Sequence, residues 1–151
     1  MIHGVEVKKI VKNKDERGWL AEIFRDDELA CDLRPVMAYV SVTKPGVIRG
    51  PHEHKEQTDV FVFLGPGTFE LHLWDNRKDS PTFGDQMKQS FGQDNSAAVK
   101  VPPGVVHGYK NIGDKQAWCI NLPNRLFKGR GKKQEVDEIR HEQSGDLKFK
   151  I

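Results

Sequence analysis

The sequence predicts an all-β fold of the sandwich or barrel type, built as a single domain. Three observations point there. Runs of β-branched and aromatic residues recur at short spacing, glycine and proline punctuate them, and helical periodicity is weak throughout. The length, 151 residues, suits one domain with a core of its own. The expected layout is one domain over 1–151, with a core at about 15–123 and a C-terminal tail at about 127–151.

The elements follow in order. Val5–Val11 (VEVKKIV) alternates loosely, as a strand does. Val36–Thr43 (VMAYVSVT) is rich in β-branched residues and stops before the turn signal Pro45-Gly46. Asp59–Leu64 (DVFVFL) is a nearly continuous apolar run closed by Gly65-Pro66-Gly67. Thr68–Asp75 (TFELHLWD) alternates and puts Phe69, Leu71, Leu73 and Asp75 on one face. The run AAVKV leads into Pro102-Pro103-Gly104, and Ala117–Leu122 (AWCINL) ends at Pro123. Two stretches, RDDELACDL and QEVDEIRHE, have room for one or two helical turns each. The second would set Asp137, Glu138, His141 and Glu142 on a solvated face. His52, His54, Thr58, Val60, Val62 and Leu64 share parity, so an unbroken strand would aim them to one side, with Phe61 and Phe63 opposite.

Charged residues make up 30% and hydrophobic residues 36%, with a net charge of only +2. That balance gives no reason to propose nucleic acid as a partner. The basic run Lys128–Lys133 reads as an exposed loop. Cys31 and Cys119 show no metal spacing and read as ordinary buried or free thiols of the cytosol. The start of the chain alternates and is charged, unlike a signal peptide. No segment approaches the roughly 20 apolar residues of a membrane span. The expected location is the cytoplasm.

The stretch GVIRGPHEHKEQTD raises the functional question. His52 and His54 lie one residue apart, so a strand would turn both into one space. Imidazoles there hold a metal or move a proton. The spacing from Gly46 through His52 and His54 to Gly65 resembles the first motif of the cupin family, G-x5-H-x-H-x3-E-x6-G, with Thr58 in place of glutamate. Pro102, Gly104, His107 and Asn111 match the second, P-x-G-x2-H-x3-N. The resemblance implies a cupin jelly roll, or double-stranded β-helix.

A narrower resemblance covers about Asp15 to Asn121. DERGWLAEIF, GVIRGPH, WDNRKDSPTFG and PPGVVHGY are similar to segments of the dTDP-4-dehydrorhamnose 3,5-epimerases of deoxysugar synthesis. That resemblance implies an isomerase that removes a proton beside the 4-ketone of a nucleotide sugar and returns it to the other face. It implies Arg17 and Arg49 on the nucleotide diphosphate, where a guanidinium fork suits phosphate, and Glu22 on the nucleotide side. It makes His52 the general base and sets Asp75 and His107 in the sugar pocket; the residues alone read Asp75 equally as a turn or bulge partner for Arg77, and Arg17 and Arg49 also as members of surface ion pairs. It implies a homodimer and no required cofactor.

Three departures mark this chain. Thr58 stands where the resemblance sets a lysine that stabilises the enolate. Ile120 stands where it sets the tyrosine that reprotonates, which leaves Tyr109 as the nearby candidate acid. The family aspartate that orients the base lies in a C-terminal extension expected beyond Ile151. Against these losses stands His54, which with His52 and His107 recovers three metal-binding histidines; Glu56 and Asp59 lie near the missing glutamate. A divalent metal held there would polarise the ketone. Three readings follow: a nucleotide-sugar epimerase or isomerase, a metal-dependent cupin for another small substrate, and a non-catalytic sugar-binding cupin.

Overall fold

The structure, a computed structural model, describes residues 1–28, 33–143 and 148–151. The strands among them are β1 (Glu6–Lys9), β2 (Asn13–Asp15), β3 (Gly18–Leu20), β4 (Tyr39–Thr43), β5 (Ile48–Glu53) and β6 (Asp59–Phe63). There follow β7 (Thr68–Asp75), β8 (Gln86–Gly92), β9 (Ala97–Val101), β10 (Val105–Asn111), β11 (Ala117–Asn121) and β12 (Ile139–Arg140). Two five-stranded antiparallel sheets, ordered β1-β9-β6-β11-β4 and β12-β5-β10-β7-β8, face each other as a jelly roll. A separate hairpin pairs β2 with β3.

The core lies between the sheets and follows strand parity. Phe69, Leu71 and Leu73 of β7 point inward as their alternation predicts, each 1% exposed. Burying side chains of this size stabilises the fold by about 1.5–3 kcal/mol apiece. They meet Phe61, Phe63, Val99, Val101, Val105 and Tyr109. Each outer face has its own cover. Ala21 and Ile23 pack on Val62, Leu64, Ala98 and Leu122. Phe149 and Ile151 pack on Trp74 and Val106. Ile2 and Val5 join the core, which therefore begins before residue 15.

Two expectations need correction. Phe61 and Phe63 do not lie opposite the histidines: the Phe61 ring is 5.2 Å from that of His107. The chain leaves β5 after Glu53, turns through residues 54–58 and re-enters at Asp59 in the other sheet. Parity does not carry across a turn, so the odd-numbered residues of β6 face inward. The stretch QEVDEIRHE is not helical in the α sense; it forms β12 beside β5 and then a 3-10 turn over His141–Gln143. Asp137 and Glu138 are partly buried there instead of solvated. In RDDELACDL, Asp26–Glu28 form a 3-10 turn, and residues 29–32, Cys31 included, lie outside the described residues. Cys119 is a buried free thiol.

Asp75 closes the inward row of β7 and organises the loop after it. Its carboxylate accepts hydrogen bonds from Arg77 Nε (2.8 Å), Ser80 Oγ (2.5 Å) and Thr82 Oγ1 (2.6 Å), and from the Arg77 backbone N–H. Burial opposes its charge, but these donors outweigh burial and hold the carboxyl well below the usual carboxylate range. A depressed folded-state pKa gives stability that is present above the unfolded pKa of about 3.9 and lost as the pH falls. Asp75→Asn is therefore expected to destabilise the protein by about 3 kcal/mol at neutral pH, as removing one partner of a buried ion pair does. Urea unfolding checks this, and the difference between variant and wild type should shrink below about pH 4.

Candidate functional site

The antiparallel register of β5 and β10 sets His52 directly opposite His107. Their ring centroids are 4.4 Å apart. Gly50 permits this approach. Its φ is +84°, and a Cβ there would stand 2.7 Å from the His107 carbonyl oxygen, closer than a side chain tolerates. The Arg-Gly step before the histidine thus has a local steric reason.

His54 follows at the end of β5, and Asp59 enters from β6 of the other sheet. Asp59 Oδ2 lies 3.1 Å from His54 Nε2 and 3.4 Å from His107 Nε2. Its Oδ1 accepts from Gln57 Nε2 (2.9 Å) and Asn121 Nδ2 (2.9 Å). Gln57 Nε2 also sits 3.2 Å from His54 Nε2. Both rings have their other nitrogen engaged: Nδ1 of His107 with the Val105 carbonyl at 2.9 Å, and Nδ1 of His54 with the Asp137 carbonyl. Donation from Nδ1 leaves Nε2 as a bare lone pair in a neutral ring. Two lone pairs aimed at a carboxylate repel it, so the cluster calls for a cation.

The electrostatics assign one. Burial works against a charged His54, yet the Asp59 carboxylate outweighs it and raises the imidazole pKa. Burial likewise opposes charge on Asp59, but His107 and His54 pull its pKa down. His52 moves the other way, lowered first by burial and then by its histidine neighbours. The site thus holds one imidazole toward the cationic form and another toward the neutral form. Such a split is what separate acid and base roles in one site require.

The donor set also fits a metal. Ligand atoms of His52, His54, Asp59 and His107 lie within 4.8 Å of one another. Asp59 Oδ2 and His107 Nε2 are buried without a well-directed hydrogen bond, and an Nδ1 tied to a carbonyl is the outer contact that ligating histidines usually make.

The C-terminal tail completes the wall. The Asp137 carboxylate accepts from the backbone N–H groups of Lys55 (2.9 Å), Glu56 (3.0 Å) and Gln57 (2.8 Å), fixing the turn between His54 and Asp59. Glu138 Oε1 stands 3.7 Å from His52 Nε2 and pairs with Arg140. The chain's own tail therefore brings a carboxylate beside His52. These parts border a cavity of about 1250 Å³, lined by His52, His54, Tyr39, Glu138, Arg140 and the loop that carries Lys128, Arg130 and Lys132.

The other expected residues lie elsewhere. Asp75 sits in its turn network. Tyr109 is buried in the core, bonded to Ser41 Oγ at 2.9 Å and absent from the cavity wall, so it is placed to pack and not to reach a cavity ligand. Thr58 is buried and uses its N–H on Asn124; Asp59 is the residue that β6 presents to the histidines. Arg17 pairs with Asp15, and Glu22 with Arg25. Arg49 binds Thr43 Oγ1 and the Val42 carbonyl, bridging the two sheets. None of these three lines the cavity. Ile120 faces the outer cluster.

The profile of a family described as dTDP-4-dehydrorhamnose 3,5-epimerase matches residues 1–131. A protein of Haloferax volcanii, described as the probable low-salt glycan biosynthesis epimerase Agl13, is 40% identical over 127 residues, 83% of this chain and 81% of that one. The spore coat polysaccharide biosynthesis protein SpsL of Bacillus subtilis is 40% identical over 116 residues, 76% of this chain and 74% of that one. The fold is similar to a crystal structure of a dTDP sugar isomerase from Desulfovibrio desulfuricans, with a TM-score of 0.82 at 22% identity, over 95% of this chain and 87% of that one.

Proposed function

The chain belongs to the dTDP-4-dehydrorhamnose 3,5-epimerase family, and from that premise we propose that it inverts a carbon beside the 4-ketone of a dTDP-linked 6-deoxyhexose. It is a sugar-nucleotide epimerase of carbohydrate biosynthesis, which sets aside the non-catalytic reading. His52 takes the proton next to the carbonyl, and the electron pair of the broken C–H bond moves toward the carbonyl oxygen. Burial favours neutral His52, the form a base needs. His54, raised by Asp59, sets positive charge beside the developing enolate oxygen, the task the absent lysine leaves open. Glu138 sets a carboxylate 3.7 Å from His52 Nε2, where it favours the imidazolium that forms. No cofactor is required for these steps. The observation that carries the reading is the pair of histidines on one cavity, His54 3.1 Å from the buried Asp59 carboxylate and His52 beside Glu138.

A cytoplasmic homodimer is part of the reading. Among the described residues no helix is long and apolar enough to cross a membrane. Val42 and Trp118 pair directly across β4 and β11 and, with Val40, are exposed. This apolar strip beside the free edge of β4 suits a second copy. Arg17 and Glu22, remote from their own cavity, are then left to serve the neighbouring one.

The buried atoms without directed hydrogen bonds favour one second reading. His52, His54, His107 and Asp59 would hold a divalent metal, which when bound polarises a ketone oxygen. Calorimetric titration of EDTA-treated protein with zinc supports this reading if binding occurs and Asp59→Asn abolishes it; absence of binding refutes it.

For the main reading, the protein is expected to exchange the hydrogen beside the ketone of dTDP-4-keto-6-deoxyglucose for deuterium in heavy water, followed by NMR. His52→Asn should slow exchange at least about 100-fold, the usual contribution of a positioned base. A wild type that takes up no deuterium contradicts the assignment for that sugar.

A further inference from the structure

Inversion needs a proton donor on the face of the sugar opposite the base, and neither Tyr109 nor Ile120 is placed to be one. We propose that Tyr39 is that donor. The inference rests on the epimerase reading above and goes beyond it by assigning the second catalytic proton.

Tyr39 and His52 come from different sheets. Tyr39 lies on β4 of the sheet that carries Asp59, and His52 on β5 of the sheet that carries His107. Both line the same cavity. A sugar held between them meets a base from one wall and a phenol from the other. Tyr39 is 46% exposed, so its ring stands at the mouth, within reach of a ligand.

The phenol is also oriented. Tyr39 is the direct cross-strand partner of Asn121 on β11. Asn121 Nδ2 stands 2.9 Å from Asp59 Oδ1 and 2.8 Å from the Tyr39 hydroxyl oxygen. The Asp59 carboxylate settles the amide's orientation, since a carbonyl oxygen in that place would repel it. Both hydrogens of the amide are then used, one on Asp59 and one on Tyr39. The phenol oxygen accepts at this contact, so its own hydrogen points elsewhere. Among the described residues no acceptor pairs with that hydrogen, and Tyr39 lines the cavity. The ring is exposed, but the hydroxyl is partly desolvated where it meets Asn121; that desolvation raises its pKa to about 12 and keeps it protonated before it acts.

The step balances without an oxidant or reductant. His52 breaks the C–H bond and becomes imidazolium, and the electron pair forms the enolate. The Tyr39 O–H bond breaks, its proton joins the same carbon from the opposite face, and the ketone re-forms. The imidazolium and the phenolate return to neutral by proton exchange through water. Asn121 acts through Tyr39 and is a positioning residue.

The test separates the two half-reactions. Wild type and Tyr39→Phe are incubated with dTDP-4-keto-6-deoxyglucose in heavy water, and NMR follows both deuterium uptake and the inverted product. Removing a hydroxyl of a half-exposed ring leaves the core intact, and thermal unfolding verifies it. Tyr39→Phe is expected to keep deuterium uptake within about threefold of wild type while the inverted product falls at least about 100-fold. Inversion at the wild-type rate in Tyr39→Phe overturns the role of Tyr39 alone. Loss of uptake together with inversion overturns it too, because the phenol would then serve the first step or the structure. A wild type without uptake defeats the underlying epimerase reading, and the donor role with it.

Discussion

A single buried carboxylate holds the site together. Asp59 is 1% exposed and stands between imidazoles that belong to the opposite sheet. Burying a charge is costly unless it is paired and hydrogen-bonded. Asp59 meets that cost with Gln57, Asn121 and two histidines. The same contacts separate the histidines: the Asp59 carboxylate raises the pKa of His54 against burial, while burial first and the neighbouring imidazoles second lower that of His52. Replacing the carboxylate would remove the reason for that division. The row from Asp59 through Asn121 to Tyr39 extends the same influence across the sheet to the far wall of the cavity.

The frame around the cluster is equally specific. The β5–β10 register sets His52 against His107, and Gly50 leaves room for it. Asp137 clamps the turn that carries the chain from one sheet to the other. The tail then covers His52 with Glu138. Local unfolding of the tail would therefore loosen His52 and the His54–Asp59 turn together, since both lean on residues 137–138.

Much of this was legible in the sequence. The Gly-Pro turns and alternating runs locate most strands, and the two cupin-like motifs bring His52, His54 and His107 together as the structure does. Other parts were hidden for physical reasons. Parity gives the face of a residue only within one unbroken strand, so the turn at residues 54–58 concealed that Asp59, not Thr58, joins the histidines. The pairing of Asp75 with Arg77 was readable as a turn, but Ser80 and Thr82 joining the same carboxylate was not. Tyr109 sits beside the motif in sequence but inside the core in space. The reach of Glu138 to His52 spans most of the chain, and such contacts leave no local periodicity. Tyr39 left a faint trace: Tyr39, Ser41 and Thr43 alternate with valines, the pattern of a strand with one polar face.

The proposed chemistry turns on Asp59 holding His54 toward the cation beside a neutral His52. The most direct measurement is an NMR titration of the histidine side chains in EDTA-treated wild type and Asp59→Asn. The account predicts that His54 titrates above the ordinary imidazole value of about 6.5 in the wild type and below it in the variant, where burial acts without its counter-charge. A His54 midpoint that does not move when Asp59 is neutralised would contradict it.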